Sequence, residues 1–402
     1  MARHPSGSGD GPLVVGFAAR NEEENIARVA WVAAEGVRAA FPDAEAVFVL
    51  ADNGSTDGTV EAFGRARMEA ERSVVRTAPG LTGKGHAVRA ILEEAQARGA
   101  RAVVLLDADL ASIGPEWLGL LARPVLEGHA LVTPLYRRDA RDAAVTRHFA
   151  YPLVMLLTAL DVKQPAGGEM ALSREVVDLA LARDWPRGAC GYGVDIFLLM
   201  TVASAGLPVA SARLGSKIHK PSAPKLVRIF REVASTLLEL AAKGALPGES
   251  ISEVRDVPVF GDEVEEEVPP VAVHVESFID VARTAWLLCR CPVERAVTGH
   301  LRWRVDRAFE SDDVSICELL WHECMLAGLR RVREGSPAAE AADVLLAPFL
   351  GRTACFWEEV ADLSIPEVER MVTESARRFR ALALEPRTDE SGSDDKKGSA
   401  AS

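Results

Sequence analysis

The stretch LLDADLASIGPEWL, Leu105 to Leu118, decides how the rest of the chain is read. An apolar run, AVVLL at 102–106, stops on Asp107 and Asp109 with a single alanine between them, and Gly-Pro then opens a new segment. A short apolar run bounded by turn residues reads as a strand buried on both faces. In a parallel sheet covered by helices, ligands gather beyond the carboxyl ends of the strands, where these two aspartates stand. Carboxylates held close raise one another's pKa unless a cation neutralises them, so a divalent metal is one reading and a solvated Asp turn the other. A hard ion such as Mg²⁺ takes one or two carboxylates and completes its shell with water and phosphate oxygens.

Outward from this stretch, β-type runs alternate with helical ones. Strands are expected at 13–17, 46–51, 73–77 and 130–134, and helices at Asn25–Ala40, Thr56–Ala70, Lys84–Arg98 and, briefly, after Pro115. This alternation predicts an α/β fold, a mostly parallel sheet flanked by helices, over 12–245. No GxGxxG follows the first strand, and the GKG at 83–85 lacks P-loop spacing, which excludes a dinucleotide dehydrogenase and a P-loop NTPase. GDEVEEEVPP at 261–270 marks an acidic linker, placed at 246–270. Helical periodicity then predicts an all-helical domain at 271–385, with Trp286, Trp303, Trp321 and Trp357 in its core. Residues 1–11 and 386–402 read as a flexible start and a disordered tail.

Composition narrows the function classes. The 402 residues are 48% hydrophobic and carry a formal net charge of −13, which excludes nonspecific attraction to nucleic acid. The start, MARHPSGSGDGP, has no apolar signal segment, and the run Tyr151 to Leu160 is too short to span a bilayer, so a cytoplasmic protein with no membrane span is expected. Six scattered cysteines read as reduced thiols, and CELLWHEC at 317–324 lacks the spacing of a zinc site.

The other strand ends also carry polar turns. AARNEEEN places Ala19, Arg20 and Glu22 after the first strand, and ADNGSTDGT puts Asp52 and the cap formers Ser55, Thr56 and Asp57 after the second. PGLTGKGHAV offers flexible glycines and the ammonium of Lys84 at a helix start, where both could meet a phosphate. Taken singly, these are N-caps or solvated turns. Asp195 in GYGVDIFLLM suits the positive end of a helix, and His219 in GSKIHK reads by itself as a surface histidine. YRRDARDAAVTRHF, 136–149, sets Arg137, Arg138, Arg141 and Arg147 in an acidic protein, as a cradle for a small carboxylate or phosphate or as a self-paired helix entry.

FxxxNEEENI, D-x-GSTDGT, the GKG loop and DAD, in this order, resemble the GT-A glycosyltransferases of the family 2 type. DADLASIGPEWL, QPAGGEMALSREV (164–176), GYGVDIFLLM (191–200) and GSKIHK (215–220) are together similar to the retaining mannosylglycerate and glucosyl-3-phosphoglycerate synthases. The resemblance runs from Leu13 to Lys220. It implies a GT-A fold and metal-dependent transfer of a hexose, with retention, from GDP-mannose or UDP-glucose to a small hydroxy acid such as D-glycerate, giving a compatible solute. Glucosyl transfer to 3-phosphoglycerate, an inverting family 2 enzyme with a larger acceptor, and a non-catalytic nucleotide-sugar binder are the alternatives.

The resemblance also implies roles. Ala19, Glu22 and Asp52 would border the nucleotide, Asp107 with Ala108 the ribose and hydrated metal, and Lys84 the diphosphate. Asp109 and His219 would ligate Mg²⁺ or Mn²⁺, Gly167, Gly168 and Glu169 would border the donor sugar, and Asp195 joins Asp109 as the catalytic pair, lying beside the reacting sugar. The pattern R-x-x-x-D-A-x-x-T would place Arg138, Asp142, Ala143 and Thr146 at the acceptor; RDAAVT stands where the phosphoglycerate enzymes carry GGGRVT. Helical additions to such enzymes often mediate assembly, so a homo-oligomer is an expectation at the level of the family alone.

Overall fold

The computed structural model describes residues 11–220, 225–243, 247–263, 267–296, 299–311 and 314–385; nearly all of the expected flexible start and the whole expected tail lie outside these. The first half alternates β1 (Leu13–Ala19), α1 (Ile26–Ala40), β2 (Ala46–Asp52), α2 (Thr59–Arg65), β3 (Glu71–Arg76), α3 (Lys84–Ala97), β4 (Ala102–Asp107), α4 (Glu116–Leu126) and β5 (Leu131–Arg137). Then come α5 (Tyr151–Thr158), β6 (Leu160–Asp161), β7 (Met170–Ser173), α6 (Arg174–Ala182), α7 (Val194–Ser204), β8 (Val209–Ser216), α8 (Leu226–Ala242), β9 (Arg255–Asp256) and β10 (Val259–Phe260). Five helices close the chain: α9 (Val275–Ala296), α10 (Gly299–Glu310), α11 (Glu318–Arg333), α12 (Ala338–Glu359) and α13 (Ile365–Leu384).

The main sheet has the order β10-β8-β5-β7-β4-β1-β2-β3, parallel throughout except for β7, which runs antiparallel between β5 and β4. This is the GT-A arrangement that the resemblance implies. From β1 the chain steps outward to β2 and β3, then returns on the other side as β4, so the switch point lies between β1 and β4. Because β7 runs against its neighbours, its first residues stand at the rim where the parallel strands end. That polarity brings QPAGGE to Asp107.

Strand alternation divides the core into two layers. Leu13, Val15 and Phe17 of β1 face α1, α2 and α4, whereas Val14 faces α3 and, beyond it, the closing helices. Gly16 is on the α3 side, where a Cβ would come within 2.3 Å of Ile91 Cγ2, so glycine lets that helix seat. Each large apolar side chain so buried contributes about 1.5–3 kcal/mol relative to exposure. The second layer is continuous: Phe149 and Phe230 lie in one cluster with Trp321 of α11 and Phe349 of α12.

Some expectations are corrected. The helix expected at Thr56–Ala70 is only α2, because side chains have already captured the backbone before it: Asp52 Oδ1 accepts from Ser55 N (3.0 Å) and Asn21 Oδ1 from Thr56 N (2.8 Å). Ala66 is extended and ends it. The stretch read as a linker carries β9 and β10; Val259 and Phe260 pair with Ser211 and Ala212 of β8 and extend the main sheet. Trp303 is 57% exposed, unlike Trp286, Trp321 and Trp357, which are buried. Among the described residues no helix is long and apolar enough to cross a membrane.

Candidate functional site

The rim is built first by loops that tie neighbouring strand ends together. Asn21 holds a left-handed φ of 57°, the conformation in which asparagine is most tolerated. Its amide N–H donates to Ser55 Oγ at 3.0 Å while its side chain accepts from Thr56, so the ends of β1 and β2 move as one. Ala19 O accepts from Asn53 N (2.9 Å), and Asn53 Oδ1 accepts from Gly83 N (2.7 Å), which carries the tie to the start of α3. Asp52, expected at the nucleotide, is buried and caps its own loop.

Lys84 is the first residue of α3. Its Nζ lies 2.7 Å from Asp107 Oδ1, 3.4 Å from Gly168 O and 3.7 Å from Asp195 Oδ1, so one cation joins β4, the β7 entry and the first turn of α7. The flexible GKG glycines serve differently from the expectation that their N–H groups meet a phosphate. Gly83 N donates to Asn53, and Gly85 N donates to Gly191 O at 3.1 Å. A Cβ on Gly85 would sit 1.8 Å from Ala189 O. These glycines let two backbones touch, and that contact sets the position of Lys84.

A second cation, Lys217, comes from the far side of the sheet, at the end of β8. Its side chain is only 4% exposed and donates to Glu169 Oε2 (2.8 Å), Gly167 O (2.9 Å) and Asp107 Oδ2 (3.3 Å). Glu169 is fully buried and also accepts from Tyr136 Oη at 2.6 Å. Gly168 has φ 104°, and a Cβ there would meet Asp107 Oδ2 at 2.6 Å and Lys217 Nζ at 2.8 Å. Only glycine lets this backbone lie against the acid and the ammonium.

The charges tune one another. Burial disfavours the Lys84 ammonium, yet the carboxylates of Asp107, Asp195 and Glu169 outweigh it and hold its pKa far above the ordinary value. Burial likewise opposes ionisation of Asp107, but Lys84 and Lys217 keep it well below the carboxylate range. Glu169 is pushed up to about 7, by burial and then by Asp107 against the pull of Lys217. Burial also raises Asp195, partly offset by Lys84.

Asp109 and His219 form a separate pair. Ala111 N donates to Ile218 O (2.7 Å) and Ile218 N to Ser112 Oγ (2.9 Å), which lays the GSKIHK segment along the DAD loop. Lys220 closes the rim onto Glu22 at 2.7 Å. Burial raises the Asp109 pKa, Asp107 and Glu22 add to it, and His219 works against it. Burial and Lys217 lower the His219 pKa and so favour the neutral imidazole. Among the described residues no group of three or more His, Cys, Asp or Glu could hold a metal ion. Asp109 and His219 are the two side chains here that would hold a divalent cation, whose remaining ligands would have to be water and phosphate oxygens.

The acceptor candidates lie together beyond β5. Arg138 Nη1 donates to Asp142 Oδ2 at 2.8 Å, and its Nε to Gln164 Oε1 at 3.2 Å. Ala143 has a left-handed φ of 58°, and Thr146 is buried at the start of a π-helix, Thr146–Ala150. Sequence reasoning assigned no role to Lys217, Tyr136 or Gln164. The first offered one signal, its place two residues before His219, while the others are visible only once β5 and β7 are paired.

Residues 15–177 match the sequence model of the family described as Glycosyl transferase family 2. The mannosylglycerate synthase of Rhodothermus marinus is 29% identical over 170 residues, which are 38% of this chain and 42% of that protein. The chain thus spans less than half the length of that curated relative. Among solved structures, glucosyl-3-phosphoglycerate synthase from Mycobacterium tuberculosis in complex with phosphoglyceric acid is 31% identical over 57% of this chain and 80% of its own, with a TM-score of 0.47. The same enzyme in complex with Mn²⁺, uridine-diphosphate-glucose and phosphoglyceric acid is 30% identical over 57% of this chain and 79% of its own, TM-score 0.47.

Proposed function

From the match of residues 15–177 to glycosyl transferase family 2, we propose that this chain moves a hexose from a nucleoside-diphosphate sugar onto the hydroxyl of a small hydroxy acid such as D-glycerate, with retention at the anomeric carbon. The observation that carries this reading is the convergence of Asp107, the Gly168 carbonyl and Asp195 on Lys84 Nζ at the switch point of the sheet. A phosphate entering there meets an ammonium whose charge is permanent. Asp195, buried in the first turn of α7 and 3.7 Å from the Lys84 ammonium, stands where its carboxylate would stabilise a sugar beside Gly168 that becomes electron-poor as its bond to the leaving group breaks. The mannosylglycerate synthase relative and the Arg138–Thr146 segment support a small acid as acceptor.

Asp109 and His219 would hold Mg²⁺ or Mn²⁺. A cation bound there supplies charge neutralisation to the departing diphosphate. The residues of this chain do the rest: Lys84 binds the diphosphate, the Gly167–Gly168 backbone admits the sugar close to Asp107, and Arg138 meets the acceptor's carboxylate. The acceptor hydroxyl attacks from the leaving-group face, and its proton passes to a phosphate oxygen.

The test is a matrix of GDP-mannose and UDP-glucose against D-glycerate and 3-phosphoglycerate, with Mg²⁺ or Mn²⁺, read by nucleotide release and by NMR of the product's anomeric centre. Acceptor-dependent release with D-glycerate and retained configuration is expected. Greater turnover with 3-phosphoglycerate corrects the acceptor. Inversion, or nucleotide binding with no release in any cell of the matrix, refutes the reading.

A further inference from the structure

The segment Arg138–His148 follows β5 without joining the sheet, and its own sequence strains it. Ala143 sits at φ 58°, a conformation that a Cβ disfavours and that persists only where the surroundings enforce it. Local bonds explain part of the shape: Asp142 N donates to Asp139 O (3.1 Å) and Ala143 N to Asp142 Oδ1 (2.6 Å). The rest comes from far along the chain. Trp357 of α12 donates its indole N–H to Arg141 O at 3.0 Å, and Trp321 of α11 donates to His148 O at 2.7 Å. Both indoles are buried, Trp321 against Phe149 and Trp357 against Phe278, so neither donor can swing away. His148 stands edge-on to Phe356 of α12 at 4.4 Å, which holds the same end a second time. Two rigid donors thus grip the backbone on either side of Asp142, Ala143 and Thr146.

We infer that the closing helices complete the acceptor subsite, with Trp357 and Trp321 as positioning residues that fix the Arg138–Thr146 backbone in the shape a small hydroxy acid requires. This rests on the glycosyl transfer reading for the identity of the acceptor, while the grip on the segment does not depend on it. A carboxylate is bound by groups at fixed spacing, and a loop free to relax Ala143 loses that spacing. The donor rim is held by other ties, through Asn21, Asn53 and Lys217, none of which passes through the helices. Loss of an indole donor is therefore felt by the acceptor and not by the nucleotide.

The experiment uses the full chain with Trp357→Phe and Trp321→Phe, which keep an aromatic ring and remove the donor. Amide hydrogen exchange over 139–148 should quicken about tenfold in each variant, with the peptide spanning Asp107 and Asp109 unchanged, and the KM for D-glycerate should rise about fivefold or more, with the donor KM within twofold. Unaltered exchange over 139–148 overturns the inference, as does an equal rise in both KM values. Should the wild-type chain turn over no acceptor at all, the transfer reading fails, and the exchange measurement alone still decides whether the helices hold this segment.

Discussion

Replacing Lys217 by methionine isolates the charge network at the centre of the rim. The ammonium lies 2.8 Å from Glu169 Oε2, and both side chains are almost wholly shielded from water. At an effective dielectric of about 20, a pair at that distance attracts by roughly 6 kcal/mol, and desolvation of the ions offsets several kcal/mol of it. The isosteric variant leaves Glu169 with the Tyr136 hydroxyl and the more distant Lys84, and Asp107 with Lys84 as its one ammonium within 4 Å among the described residues. Removing one partner of a buried pair costs about 3–5 kcal/mol, equivalent at this chain length to a fall in Tm of about 5 °C. The loss depends on pH with a definite sign. Glu169 titrates near 7 in the wild type and higher without Lys217. Between pH 8 and 7 the variant's Glu169 carries a proton that the wild type's lacks, so the deficit shrinks by about 1 kcal/mol per pH unit and is level below pH 7. Denaturant unfolding followed by circular dichroism at pH 8, 7 and 6 measures this. The double variant Lys217→Met/Glu169→Gln removes both charges and should regain most of the loss. A single variant within 1 kcal/mol of wild type, or a double variant no more stable than the single, refutes the reasoning.

Three other outcomes are expected. Asp109→Asn should leave the far-UV spectrum unchanged, cut turnover by about 1,000-fold and make nucleoside-diphosphate binding indifferent to chelator; calorimetry with and without EDTA would contradict this by showing wild-type metal dependence. Gly85→Ala places a Cβ 1.8 Å from Ala189 O, so the start of α3 must shift. A loss of about 1–3 kcal/mol in stability and at least tenfold weaker nucleoside-diphosphate binding through displaced Lys84 should follow, and a variant neutral in both would show that the contact sets nothing. His322 is depressed to about 4, by burial and then, against the pull of Glu318, by Arg352 and Arg378. Its neutral form is the one the fold holds, so stability is full above the unfolded value near 6.5 and falls by up to about 3 kcal/mol as pH drops toward 4; His322→Gln should flatten that limb, and superimposable pH profiles would reject the assignment.

What could be read from the sequence was what repeats or what stands alone. β1, β2, β4 and β5 and helices α1 and α3 announce themselves because their apolar spacing is local, and Asp107, Lys84 and Asp195 are at the ends of such elements. The reach of Lys217 to Glu169 was not legible, because it joins β8 to the entry of β7 across β5, a neighbourhood that no window along the chain contains. β9 and β10 escaped for another reason: two-residue strands carry no period, and the acidic residues after them read as solvent-facing. The short α2 shows side-chain capture of backbone groups overriding helix propensity, since Asn21, whose amide takes Thr56, lies on another loop. Trp303 shows the reverse error: helical periodicity marks a face without saying whether anything covers it.

The ring stack of Phe230 on Phe349, 4.2 Å between centroids, sits where the rear of the sheet becomes the body of the closing helices. No seam runs through that apolar layer, although the acidic run in the sequence suggests one. A protease cutting there would release no catalytic fragment, since each piece would keep half of a shared oily wall. A chimera that borrows only the sheet must bring replacement cover for Phe149, Phe230 and the outer edge of β8, or it will find that cover in another copy of itself.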